Sequence, residues 1–275
     1  MKFQLTQDYH IHSYLSSCSR DEEENAARIL KYAKDNNYDS ICITDHFWDE
    51  TVPGASKWYM PQNLPHIKEI LPLPEDEEGK VKFFFGCETD MDKYGTIGIS
   101  HKTAEEMAFI IVPTTHLHMT GFTIDESIGG GEDESFVKAR TELYVSRFQK
   151  LLDSDMPFEK TGIAHLSCGL ICKNPAGSKS HLKVMAGVSD ETYRELFEQS
   201  AKKGLAIELN FNSFAFEGDE LEAMVRPYRI AQTCGCKFYF GSDAHHPQNL
   251  DNALKNFTHI ADILDLQEEQ KFSLV

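Results

Sequence analysis

Short apolar runs and amphipathic stretches take turns along this chain, and run after run ends in a histidine or an acid. The last run reads Phe238-Tyr239-Phe240-Gly241-Ser242-Asp243-Ala244-His245, and the first reads Asp8-Tyr9-His10-Ile11-His12. Side chains on a strand alternate between faces, so His10 and His12 point one way, and so do Asp243 and His245. If the two strands lie side by side, four ligands converge on one point. Imidazole and carboxylate donors together suit divalent first-row metals such as zinc, manganese or iron.

Strands are expected at 4–12, 39–44, 82–87, 109–113, 161–164, 205–209 and 237–240, with a weaker one near 96–99. Ser19-Arg20-Asp21-Glu22 has the capping-box pattern and predicts a helix from there through about residue 36. Further helices are expected at 64–70, 103–107, 135–152, 190–203 and 219–233. The stretch 126–134, with three consecutive glycines, and the polar stretch 173–187 read as loops. This alternation predicts an α/β fold with a mostly parallel sheet and right-handed crossovers. About seven such units in 275 residues point to one domain over 1–275, a closed or nearly closed barrel. Chemistry in such folds sits at the C-terminal ends of the strands. His10 and His12, His46, Glu88, His116, His165, and Asp243 and His245 all fall there.

Lys plus Arg is 27 and Asp plus Glu is 44, a formal net charge of −17. Such a surface repels a phosphate backbone, which argues against broad nucleic-acid binding. The seven cysteines are scattered, several within apolar runs, as reduced thiols of a cytoplasmic protein would be. Cys168-x-x-x-Cys172 and Cys234-Gly235-Cys236 lack a second pair at zinc-finger spacing. The N-terminal residues have no apolar core of the signal-peptide kind, and no run has the length of a membrane span. The expectation is a cytoplasmic chain with no membrane partner and an oligomeric state that the sequence leaves open.

The order His10-x-His12, Thr44-Asp45-His46, Glu88, His116, His165 and Asp243-x-His245 resembles the PHP (polymerase and histidinol phosphatase) superfamily over nearly the whole chain. The resemblance implies a distorted (β/α)7 barrel, up to three divalent metal ions (zinc, manganese or iron) and phosphoester hydrolysis. By the same resemblance, His10 and His12 hold a first metal with Asp243 close by, and Glu88 bridges the first and second. His116 and His165 complete the second, and His46 and His245 belong to a third. A further histidine is implied six residues after His12, where this chain has Cys18. A thiolate binds zinc, so Cys18 stands as a candidate ligand of the third site.

A bridging carboxylate holds two metals roughly 3.5–4 Å apart, the separation used for in-line displacement at phosphorus. Water shared by two dications becomes hydroxide near neutral pH and attacks the phosphoryl group, while the metals neutralise the charge that builds up. Glu88, Asp243 and His245 are the expected catalytic residues. His245, His118 and Asp45 are candidates for the acid that protonates the leaving group. Lys173, Arg226 and Arg229 are candidate phosphate-binding cations, with His118 lining the pocket. Phe47, Trp48, Trp58 and Tyr59 follow a catalytic strand end and are expected to wall that pocket.

The expected substrate is a small phosphorylated metabolite, with histidinol phosphate the leading named case. Two rivals remain at this stage. An amidohydrolase-type C–N hydrolase also begins with His-x-His and ends with Asp, but it commonly needs a modified lysine where this chain has Glu88. A PHP module with a nuclease or editing role would face DNA, which the acidic surface disfavours.

Overall fold

The computed structural model describes residues 1–128, 131–172 and 178–274. Its first two strands, β1 (Gln7–Ile11) and β2 (Ser40–Ile43), are buried at every position. Strands buried on both faces belong to parallel sheets covered by helices. The remaining strands are β3 (His46–Phe47), β4 (Lys82–Phe85), β5 (Cys87–Thr89), β6 (Ile110–Ile111), β7 (Thr161–Ile163), β8 (Ala206–Leu209) and β9 (Phe238–Phe240). Every ladder between these strands is parallel.

Two sheets result, of order β1-β2-β4 and β3-β5-β6-β7-β8-β9. The chain steps directly from the first to the second twice, after β2 through Thr44 and Asp45 and after β4 through Gly86, and returns between β3 and β4. Hydrogen bonding runs across both breaks: Gly86 N donates to Ile43 O at 2.8 Å and Glu88 N to Asp45 O at 3.0 Å. Beyond its last paired residue, β9 also reaches β1. Asp243 N donates to His10 O at 2.8 Å, and His12 N to Ala244 O at 2.9 Å. The first and last apolar runs therefore lie side by side.

The main helices are α1 (Ala26–Asp35), α2 (Leu64–Ile67), α3 (His101–Glu106), α4 (Glu134–Asp153), α5 (Ser180–Gly187), α6 (Asp190–Lys203), α7 (Gly218–Thr233), α8 (Pro247–Leu250) and α9 (Ala253–Leu264). Local signals set several of their ends. Ser189 caps α6 by accepting from Thr192 N, and Gly204 closes it in the left-handed conformation. No helix among the described residues is long and apolar enough to cross a membrane. All seven cysteines are unpaired.

The structure corrects three expectations and adds two helices. Helix α1 starts at Ala26 with Asn25 as its cap, not at Ser19. The Ser19 hydroxyl donates instead to the His245 carbonyl at 2.6 Å, so a distant segment outbids the local cap. The expected loop at 173–187 contains α5, while 173–177 lies outside the described residues. Near 96–99 there is one antiparallel bridge, Met91 to Ile97, and no strand. Helices α8 and α9 follow the last strand and had no counterpart in the sequence reading.

Asp49 ties the segment after β3 to the start of α3. Its carboxylate is 2% exposed. It accepts from Ser100 Oγ at 2.6 Å, Thr103 Oγ1 at 2.5 Å, Thr51 N at 2.8 Å and Thr51 Oγ1 at 2.7 Å. Burial pushes its pKa up, but these donors outweigh that and hold it well below the usual carboxylate range. A depressed folded pKa stabilises the fold above the unfolded value of about 3.9, and the stabilisation is lost as pH falls below it. Asp49→Ala is expected to cost about 2 kcal/mol in urea unfolding at about pH 7. The cost shrinks at about pH 3, and an equal cost at both pH values would show that ionisation contributes nothing.

Candidate metal centre

The C-terminal ends of the parallel strands converge on one cluster. Among the described residues three groups place ligand atoms within 4.8 Å of one another: His10, His12 and Asp243; Glu88, His116 and His165; and His12, His46 and His245. Of the expected ligands, only Cys18 is in none of these groups. The residue is exposed overall and lines the same cavity, where partial burial of the thiol, then Glu88 and Asp243, push its pKa up to about 12.

The first group has the dimensions of a coordination shell. His10 Nε2 and His12 Nε2 are 3.1 Å apart. Asp243 Oδ1 lies 3.3 Å from the first and 3.2 Å from the second. Glu88 Oε2 lies 3.5 Å and 3.4 Å from the same two nitrogens. Two donors held by one ion at about 2.1 Å lie roughly 3.0–3.4 Å apart. The same Glu88 oxygen is 2.9 Å from His46 Nδ1, and its other oxygen is 3.5 Å from His165 Nε2. Neither His46 Nδ1 nor Glu88 Oε1 makes a hydrogen bond, although both are buried. Buried polar atoms without partners are rare, and these two face other donors of the cluster.

Surrounding residues decide where the ring protons sit. Ser16 Oγ donates its single proton to Asp45 Oδ1 at 2.7 Å. Facing His12 Nδ1 at 2.9 Å, that hydroxyl can only accept, so the ring proton is on Nδ1. His10 Nδ1 faces Glu208 Oε1 at 2.5 Å and carries a proton for the same reason. With both Nδ1 protons turned outward, the two Nε2 atoms face each other, a contact that is favourable only with a proton or a cation between them. His116 Nδ1 is 2.9 Å from Asp90 Oδ2, and His165 Nδ1 is 2.8 Å from Thr115 Oγ1. His245 Nδ1 is 2.8 Å from the Asp243 carbonyl, which accepts its proton.

The electrostatics favour positive charge here. Burial works to lower the pKa of His10 and His12, yet Glu208, Asp243 and Glu88 raise the first well above the ordinary imidazole value, and Asp243 and Glu88 raise the second. Burial works to raise Glu88 and Asp243, yet the neighbouring imidazoles hold both carboxyls far below their usual range. His46 is lowered by burial, and His245 falls to about 3 through burial and His12. The donor set fits divalent cations.

Backbone features serve this geometry. Asp243 and His165 have φ of 53° and 26°, in the left-handed region where non-glycine residues are uncommon. A Cβ on Gly241 would collide with the Glu208 carboxylate and with His10 Cβ. The glycine lets Glu208 reach both the His10 ring and the His165 backbone N–H, which donates to it.

The other expected site residues divide. His118 lines the cavity, its ring 5.3 Å from that of His116. Asp45 is no candidate acid: it is 1% exposed and accepts from Ser13 N, Ser13 Oγ and Ser16 Oγ. Arg226 is not brought to the site. Its guanidinium is bound to Asp190 at 2.9 Å and to the carbonyls of Met185 and Val188. Arg229 pairs with Glu222, and Lys173 lies outside the described residues. Trp58 and Tyr59 line the cavity as expected, while Phe47 and Trp48 are buried behind it.

Glu208, Asp90, Ser16 and Arg147 were not singled out in the sequence. Glu208 had a signal, as an acid inside the apolar run Ala206-Ile207-Glu208-Leu209. Asp90 follows Glu88 by two residues, the spacing of one strand face. Arg147, 2% exposed, donates to Asp90 Oδ1 at 3.1 Å, and nothing near it in the sequence marks it out.

These features define a parallel α/β protein with a histidine–carboxylate centre suited to divalent cations. The sequence matches no family model and no curated protein. Among solved structures, the fold is similar to that of the histidinol phosphate phosphatase HisK of Lactococcus lactis. That similarity covers 98% of each chain at 18% identity and TM-score 0.59, and the structure is a complex with zinc, L-histidinol and phosphate. The Listeria monocytogenes protein provisionally assigned as the histidinol phosphatase HisK is similar over 91% of this chain and 99% of its own, at 15% identity and TM-score 0.59. The likeness is one of fold.

Glu208→Gln keeps the shape of the side chain but removes the charge behind His10. Zinc affinity, measured by chelator competition, is expected to fall about 10- to 100-fold. Unchanged affinity would remove Glu208 from the centre.

Proposed function

We propose that this chain is a metal-dependent phosphoesterase that hydrolyses a small phosphomonoester. The observation that carries the reading is that Asp243 and Glu88 each place an oxygen within 3.5 Å of both His10 Nε2 and His12 Nε2, with the Nδ1 atoms of the two rings turned outward to Glu208 and Ser16. His10, His12 and Asp243 would hold one ion, and His116 and His165 a second, with Glu88 between them. His46 and His245 would hold a third, with Cys18 at its edge. Zinc, manganese and iron all suit these donors. When bound, such ions polarise phosphoryl oxygens and make water a nucleophile near neutral pH.

The chain's own residues supply the rest. Glu208, Asp90 and Ser16 fix ring orientation. Arg147 donates to one oxygen of Asp90, whose other oxygen faces His116 Nδ1, so the pair fixes the His116 ring. His245, its Nδ1 proton given to the Asp243 carbonyl, keeps Nε2 as its remaining nitrogen. His118 and His245 both line the cavity where a leaving group would depart.

We infer a distorted (β/α)7 barrel over 1–275 as the frame. Supporting it are seven parallel strand segments, when each broken strand is taken as one, and the hydrogen bonds between β9 and β1. Glu88 among the donors, rather than a lysine, favours phosphoester over C–N hydrolysis. Histidinol phosphate, suggested by the similar structures, belongs in the first substrate panel. Seven free thiols suit a reducing compartment such as the cytoplasm.

Protein stripped by chelator and reloaded with zinc or manganese is expected to release phosphate from p-nitrophenyl phosphate. Glu88→Ala is expected to lower kcat by more than about 100-fold, the scale of losing one preorganised electrostatic contact, with the far-UV spectrum unchanged. Full turnover by the variant would contradict the reading, as would an inert reloaded wild type.

A further inference from the structure

The cavity over the metal ligands has a volume of about 560 Å³, and its outer walls contain a charge with no partner. Lys57 lines it, is exposed, and its side chain makes no ion pair or hydrogen bond among the described residues. The arginines expected to hold substrate are engaged elsewhere. Beside Lys57, Trp58 lines the same cavity and is 38% exposed, an unusual position for the largest side chain. Its edge contacts are built: its ring centroid is 4.9 Å from that of His46 and 4.7 Å from that of Tyr59. Tyr59 packs with Trp48 and Phe122 in a small separate core. The Lys57–Trp58 segment therefore sits on a rigid support.

The remaining outer walls are apolar, with Met119, Phe122 and Leu170, or carry neutral hydroxyls, with Ser56 and Thr120. Among the described residues, no carboxylate lines the cavity except Glu88 and Asp243, which belong to the metal ligands. An ammonium group on a substrate would enter between divalent cations and Lys57 without an acidic partner. Its compensation would come from the aromatic rings of Trp58, Tyr59 and Phe122, a weaker attraction than an ion pair with a dedicated carboxylate. A carboxylate or second phosphate would instead find Lys57 free.

We propose, building on the phosphoesterase reading, that the substrate's leaving group is an apolar or aromatic body bearing a second anionic group, recognised by Trp58 and Lys57 respectively, and not a cationic amino alcohol. The amino alcohol released from histidinol phosphate falls in the disfavoured class.

Three esters test this with the metal-loaded full chain: phenyl phosphate, 4-carboxyphenyl phosphate and histidinol phosphate. The carboxylated ester is expected to show a KM about fivefold below that of phenyl phosphate, the scale of one partly exposed ion pair. Histidinol phosphate is expected to have the lowest kcat/KM of the three. Lys57→Glu should reverse the order of the two aryl KM values and raise kcat/KM for histidinol phosphate. Trp58→Ala should raise both aryl KM values about tenfold through lost stacking. Histidinol phosphate as the best substrate, or an aryl KM ratio unmoved by Lys57→Glu, would overturn the proposal while leaving phosphoesterase activity intact. Release of phosphate from none of the three would overturn both.

Discussion

The structure depends on the attraction between two buried carboxylates and the imidazoles around them. Glu88 is 1% exposed, and His10 and His12 are fully buried beside it. Burying a charge without a partner costs more than a domain's whole net stability, so such groups survive only when paired or bound to metal. Here the imidazoles lie at spacings that suit a common ion better than direct hydrogen bonds. Protons can hold the cluster together, as the raised pKa values of His10 and His12 show. Divalent cations do so with more charge and with donors already aimed. Metal therefore competes with protons, and its binding weakens as pH falls.

That pairing explains why so much of the surrounding structure is specialised. Glu208 contacts a ring from the first strand and a backbone N–H after the seventh, so it locks together two candidate ligands far apart in sequence. Gly241 makes room for it. Asp45 serves the site from behind, by taking the Ser16 proton and leaving that hydroxyl to accept from His12. Of the five non-glycine residues with positive φ among the described residues, two are candidate ligands, Asp243 and His165. Strain of this kind is tolerated where several contacts fix one conformation.

Much of this was legible in the sequence because it follows from local pattern. Strand-end ligands declare themselves when a buried apolar run stops at His or Asp, and the parallel sheet follows from alternation. What was hidden depends on distant partners. Ser19 has the form of a helix cap, but a carbonyl from residue 245 claims its hydroxyl. Arg226 has the form of a phosphate ligand, but it is held by Asp190 and two carbonyls at the end of α5 and just beyond it. Its sequence neighbourhood contains no trace of those contacts. Glu208 is the intermediate case: an acid inside an apolar strand marks a buried charge, though not what it binds.

The acidity of the chain and the chemistry of its centre are compatible because they act over different distances. A formal charge of −17 opposes the approach of any phosphorylated molecule. At physiological salt that field decays within about 8 Å of the surface. Inside a cavity walled by Trp58, Phe122 and Leu170, screening is weaker and nearby charges dominate. There, among the described residues, the local charges are those of the candidate metal donors and of Lys57. On the proposed reading, discrimination among anionic substrates would be made within the cavity, after entry, by contacts with individual side chains. Long-range attraction would contribute little, so on that reading catalytic efficiency would depend on how well the leaving group fits the wall more than on ionic strength.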